Sequence, residues 1–171
     1  MIYGNKFYGY NIVNETYVID LDIKNPEELI SYMKKNIKYK QFTKLMTPEE
    51  VFNLKKGSCH DQVVFENYFF KKFDLKYGRL FAIEYNENES KGGRTHSFLW
   101  YIKNNKYYWF ENSWSTYTGI NGPYNSLSDL KNDFKEKMLK ETNKYNNVLI
   151  RVIKNVKPGM TLDQYVSACI K

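Results

Sequence analysis

Two consecutive asparagines, Asn104-Asn105, separate the apolar and aromatic runs 96–103 and 106–113, and that spacing constrains the fold more than any other feature of the chain. Asparagine tolerates positive φ, so a two-residue turn can join the runs as an antiparallel hairpin. A loop of that length sets one register: Lys103 faces Lys106, Phe98 faces Glu111 and His96 faces Ser113. The side chains of His96, Phe98, Glu111 and Ser113 then share one face, and Asn112 points to the other. His96 and Glu111 become diagonal neighbours about 7–8 Å apart at the backbone, a span their side chains bridge. A loop of odd length would put Asn112 on the histidine side instead.

Upstream of the hairpin the chain is punctuated by helix starts. Asn25-Pro26-Glu27-Glu28 combines a capping residue, a proline at the first helical position and an acid at the third, and predicts a helix over 26–38. Thr47-Pro48-Glu49-Glu50 repeats the grammar and predicts a short helix ending before Gly57. In Ser58-Cys59-His60-Asp61 the serine caps the Asp61 amide while the Asp61 carboxylate reaches back, predicting a helix over 59–73. At about 100° per residue its polar strip is narrow, holding His60, Asn67 and Lys71, while Cys59, Val63, Phe70 and Phe73 share an inward arc. Such a helix is largely buried, with His60 on solvated surface.

Strand character follows the Tyr77-Gly78 turn, over 79–85, and the polar stretch 86–95 with Gly92-Gly93 reads as a loop opening onto His96. Beyond the hairpin, 119–125 is expected to be a loop, 126–142 a helix and 147–154 a strand. Pro158-Gly159 turns into a last helix opened by Thr161-Leu162-Asp163-Gln164. The opening segment 8–21, β-branched and aromatic, reads as an edge strand or packed arm. No repeat or linker divides the chain, so 1–171 is expected to be a single α+β domain.

Cys59 falls at the first position of its helix, where unpaired amides and the helix dipole stabilise a thiolate. Cys169 lies within an apolar helix and reads as a small buried residue, and two cysteines in such different contexts make no disulfide framework. Thiol-based acyl transfer needs a thiolate, an imidazole and a group that orients the imidazole. Cys59, His96 and Glu111 supply those types. His60, about 100° round the helix from Cys59, is expected to miss the thiol, and Asp61 is explained as a cap. The Cys59 backbone amide is one oxyanion donor, with Gln41 and Asn53 as polar upstream candidates for a second. Trp114, just past the acid, is the substrate-groove candidate, whereas Trp100 and Trp109 read as core filling.

The formal charge of +7 comes from 23 lysines and 3 arginines that are scattered rather than run together, which argues for solubility and against a nucleic-acid partner. No apolar stretch approaches membrane-spanning length and no signal-peptide pattern opens the chain, so a cytoplasmic protein without a membrane partner is expected. Two histidines and two cysteines so arranged make no zinc site, and Asn86-Glu87-Asn88-Glu89 lacks the ligand spacing of a calcium loop. Phosphate-loop and dinucleotide fingerprints are absent, so no cofactor is expected. Lysine over arginine, with abundant asparagine and tyrosine, fits an AT-rich bacterial or phage genome.

Gly57-Ser58-Cys59-His60-Asp61, then Thr95-His96-Ser97-Phe98, then Tyr108-Trp109-Phe110-Glu111 resemble in order and spacing the transglutaminase-like superfamily, over residues 47–114. The resemblance implies a papain-like core, with a cysteine-bearing helix packed on an antiparallel sheet that supplies histidine and acid. Carried over by motif, Cys59 is the nucleophile, His96 the base and Glu111 the orienting acid, where the family usually has aspartate. The implied activity is acyl transfer from a peptide or side-chain amide of a protein or peptide substrate, through a thioester. Water as acceptor makes a peptidase or deamidase and an amine makes a transamidase, hydrolysis being favoured in a small chain without a calcium loop. An acid that only orients the ring leads to the expectation that Glu111→Gln keeps measurable activity. The alternatives are a non-catalytic module of the same fold that binds a peptide or protein, and a basic binder of anionic surfaces. The intact trio argues against the first and the scatter of lysines against the second.

Overall fold

The computed structural model describes residues 17–89 and 92–171. Most of the segment 8–21, expected to be an edge strand or packed arm, lies outside the described residues; its described end has no regular structure but packs Ile19 into the core. The three helix starts before the sheet appear where capping chemistry put them. Helix α1 (Pro26–Asn36) is capped by Asn25, whose side chain accepts from the Glu28 amide. A two-residue strand β1 (Lys38–Tyr39) follows, then α2 (Pro48–Leu54) with a full capping box between Thr47 and Glu50. Strand β2 (Lys56–Gly57) pairs in parallel with β1, Tyr39 opposite Gly57, and runs directly into α3 (Cys59–Phe70). Neither short strand was expected, since two residues carry no periodicity to read.

Then come β3 (Tyr77–Tyr85), β4 (Thr95–Lys103), β5 (Lys106–Glu111), a 3₁₀ turn (Ser115–Tyr117), β6 (Gly119–Tyr124), α4 (Leu127–Thr142), β7 (Asn147–Val152) and α5 (Leu162–Ile170). The five long strands form one antiparallel sheet in the order β6-β5-β4-β3-β7. The described chain is therefore α+β, with five α-helices. The hairpin has the expected register, Lys103 facing Lys106 and Leu99 facing Phe110, with both turn asparagines at positive φ.

Several boundaries differ from the sequence reading, α1 and β7 each ending two residues earlier than expected. Residues 119–124, expected to be a loop, form edge strand β6 instead, because β5 supplies the hydrogen-bonding partner that Gly-Ile-Asn-Gly-Pro-Tyr does not advertise by alternation. Tyr77-Gly78, expected to turn, already belongs to β3. A Cβ on Gly78 would lie 2.7 Å from Trp100 Nε1 across the strand pair, so glycine here admits an indole rather than a bend. Helix α3 ends at Phe70 rather than at Phe73.

Strand alternation sorts the core into two layers. Leu99, Tyr101 and Phe110 face α1, α2 and α3, where they meet Leu29, Met33, Val51, Phe65, Phe69 and Phe70. Leu80, Ala82, Phe98 and Trp109 face the opposite way, onto Leu130, Phe134 and Met138 of α4. Helix α5 closes the α3 side through Tyr165 and Cys169, packed with Val63 and Phe81. Phe134 is the keystone of the α4 layer, fully buried and stacked on Phe98 at 4.0 Å between ring centroids. Phe134→Ala is expected to cost about 3–5 kcal/mol of stability, measured by urea denaturation. An unchanged midpoint would show that α4 is not part of the cooperative core.

Candidate active site

The N-terminus of α3 is tied down by one carboxylate. Asp61 accepts from the Ser58 amide (2.8 Å), the Ser58 hydroxyl (2.7 Å) and, from the α1–α2 connection, the Met46 amide (2.9 Å), and it is 2 % exposed. It is the cap expected of it. Gly57 is required beside it, since a Cβ there would stand 2.9 Å from that of Asp61. The cap makes Cys59 the first helical residue, so its N–H has no intrahelical acceptor and faces outward with the positive end of the helix dipole.

From the hairpin, His96 Nε2 meets Glu111 Oε2 at 2.6 Å. The other oxygen of Glu111 accepts three hydrogen bonds, from the Ser113 amide (2.7 Å), the Ser113 hydroxyl (2.9 Å) and the Trp114 amide (2.8 Å). A carboxylate so occupied cannot swing, and it holds the imidazole by one ring nitrogen. Asn112 points the other way, donating to Gln62 Oε1 (2.7 Å) and to the Ile37 carbonyl, as the even-length turn requires.

The structure brings Cys59, His96 and Glu111 together. Burial pushes the Cys59 thiol up, but the imidazoles of His60 and His96 outweigh it and bring the thiol down to about 6. Burial pushes His96 down, yet the Glu111 carboxylate and the Cys59 sulfur raise it to about 10. At neutral pH the pair is a thiolate beside an imidazolium. Burial takes Cys169 the opposite way, up to about 11. The Glu66 carboxyl, 2 % exposed on α3, is held well above the usual carboxylate range by burial and by Glu111, and its Oε2 has no hydrogen-bond partner among the described residues.

His60 is where the sequence reading fails. It is 4 % exposed rather than solvated, its Nδ1 lies 3.7 Å from Cys59 Sγ and 2.8 Å from Ser97 Oγ, and its ring sits 4.4 Å from that of Tyr165. Helical periodicity reports only the faces of α3. The cover comes from α5, about a hundred residues on, whose lead-in is hydrogen-bonded to the α1–α2 connection through Leu45 and Met160.

Trp114 also differs from the open groove expected. It is 8 % exposed and packs edge-on against His96 at 5.4 Å, with its Nε1 donating to Glu141 (2.8 Å) and the Arg94 guanidinium over its ring. It is a wall behind the histidine. The exposed aromatic near the thiol is Tyr39, 57 % exposed, whose phenol is pushed up by burial and by the Cys59 and Asp61 charges. Gln41 is exposed beside it, 3.4 Å from its hydroxyl, and Asn53 is exposed on α2 with nothing tying it to the thiol. Among the described residues no group of three or more histidine, cysteine, aspartate or glutamate side chains could hold a metal ion, and no helix is long and apolar enough to cross a membrane. Comparison with protein-family models and with curated proteins returned no match to the sequence.

Proposed function

We propose that the chain is a cysteine-dependent acyl-transfer enzyme of the transglutaminase-like, papain-like kind, acting on peptide or side-chain amides of a protein substrate. The observation that carries this reading is a thiol at a capped helix start, lowered to about 6 and paired with a histidine that a fixed carboxylate holds at 2.6 Å. A structural cysteine has no use for such an arrangement.

The chemistry follows from the groups in place. The Cys59 thiolate attacks the amide carbon, forming the C–S bond as the carbonyl electron pair moves onto oxygen. The Cys59 N–H, unpaired within the helix, is placed to receive that oxyanion. His96 gives its proton to the amide nitrogen, the C–N bond breaks and the amine departs, leaving a thioester. In the second half His96 takes a proton from the acceptor, the acceptor oxygen or nitrogen bonds to carbon, and the thiolate leaves. Water as acceptor gives the acid and an amine gives a new amide at the same carbon.

The test is a panel of glutamine-containing peptides, with and without an added amine, followed by mass spectrometry. Conversion of amide to acid shows deamidation, amine incorporation shows transamidation and chain cleavage shows a peptidase. Cys59→Ser is expected to fold normally and to do none of these. Should the wild type do none of them either, while Cys59→Ser binds a cellular partner as tightly as wild type, the chain is a binding module.

A further inference from the structure

The buried His60 has a place in this site that the three-residue scheme leaves unused. Its Nδ1 faces two atoms, Cys59 Sγ at 3.7 Å and Ser97 Oγ at 2.8 Å. Ser97 Oγ lies in turn 2.9 Å from the Tyr165 hydroxyl, and Tyr165 interacts with Cys169 one turn further along α5. Ser97, Tyr165 and Cys169 are each 3 % exposed or less, so no water competes along the row. The row has one favourable direction. A thiol is a poor donor and a phenol a good one, so Tyr165 donates to Cys169 and Ser97 donates to Tyr165. The Ser97 oxygen is then left to accept from His60, which fixes one hydrogen on Nδ1 that is shared between Ser97 Oγ at 2.8 Å and, as the longer branch, Cys59 Sγ at 3.7 Å.

We infer that His60 is a second imidazole donor to the Cys59 thiolate, separate from the acid–base His96 and locked as a donor by the buried row Ser97–Tyr165–Cys169. The inference rests on Cys59 being the nucleophile. The two imidazoles divide the work along β4, since His96 lies in the α4 layer against Phe98 and Phe134, and its neighbour Ser97 faces α3 and α5. His96 must lose and regain its proton in every cycle. His60 has no part in that proton transfer, so the shared Nδ1 hydrogen faces the sulfur both when it attacks and when the thioester C–S bond breaks and its electron pair returns to sulfur. A more stable thiolate is the better leaving group in that second step.

The experiment is a pH titration of the thiolate ultraviolet absorbance, with Cys59→Ser as the blank. Among the described residues the other titratable groups that interact with the sulfur are Tyr39 on β1, Glu66 on α3, His96 on β4 and Tyr165 on α5, with Asp61 beside Tyr39 and Glu111 behind His96, and all remain when His60 is changed. In the His60→Ala protein the midpoint is expected to rise by about one unit or more, with His96 still present. His60→Asn, whose side-chain amide can occupy the Nδ1 position, is expected to recover part of that rise, and Tyr165→Phe to show a smaller shift in the same direction. An unmoved midpoint in folded His60→Ala overturns the inference, as does a His60→Asn midpoint displaced as far as that of alanine. If alanine does not fold, His60→Asn and Tyr165→Phe carry the test, and the absence of any shift in both overturns it. A wild-type midpoint at the ordinary thiol value removes the nucleophile itself, whereas a low wild-type midpoint that ignores His60 removes only the second donor.

Discussion

Glu111→Gln is expected to lower turnover almost as much as His96→Ala, by about 10²–10⁴-fold, although it removes only a charge. The reason lies in the three donors on Glu111 Oε1, the Ser113 amide, the Ser113 hydroxyl and the Trp114 amide. In glutamine the single oxygen is drawn to those donors, and the amide nitrogen is left facing His96 Nε2. An NH₂ group there cannot accept from Nε2–H, so the ring either loses its partner or takes the tautomer with hydrogen on Nδ1, which is useless as a base toward the thiol. The imidazolium is also no longer held, so the thiol midpoint should rise from about 6 toward its ordinary value. The measurable residual activity expected from sequence should therefore be small, because the second oxygen of the acid is already committed to three donors. Turnover of the best amide substrate, compared across Glu111→Gln, Glu111→Ala and His96→Ala, checks this. Near-wild-type activity in Glu111→Gln would mean that the carboxylate charge has no part in the chemistry.

What was legible in the sequence was local or symmetric. The capping boxes at Thr47, Ser58 and Thr161 are each closed by residues three apart, and each helix begins where its box stands. The hairpin register follows from two asparagines, and through it the choice of Glu111 over Asn112 as the neighbour of His96. What was not legible depends on partners far along the chain. β6 is a strand because β5 lies beside it, and β1 and β2 find each other across an intervening helix. His60 is buried because α5 returns over α3, so the periodicity that put it on the surface described a helix without neighbours. Trp114 has the spacing of a groove residue, but Phe134 of α4 and Tyr117 enclose it.

Cys59 and Cys169, both free and buried, offer an internal control. They are 5 % and 3 % exposed, so burial alone gives neither an advantage toward a small reagent. Their electrostatics differ sharply, with Cys59 lowered to about 6 beside two imidazoles and Cys169 raised to about 11 by burial. The sign follows directly. Raising pH through 6 increases the reactive fraction of Cys59 to a plateau, while Cys169 stays protonated until far higher pH. The lower intrinsic nucleophilicity of an acidic thiolate takes back part of the gain, leaving Cys59 about a hundredfold faster at pH 6. The most direct measurement is therefore brief iodoacetamide treatment of the folded protein across pH, with intact mass and peptide mapping to place the label. A single rapid modification on Cys59, already half-developed near pH 6 while Cys169 stays unmodified, is the result expected of an acyl-transfer nucleophile. Equal rates at the two cysteines at pH 6, or first labelling at Cys169, would contradict it.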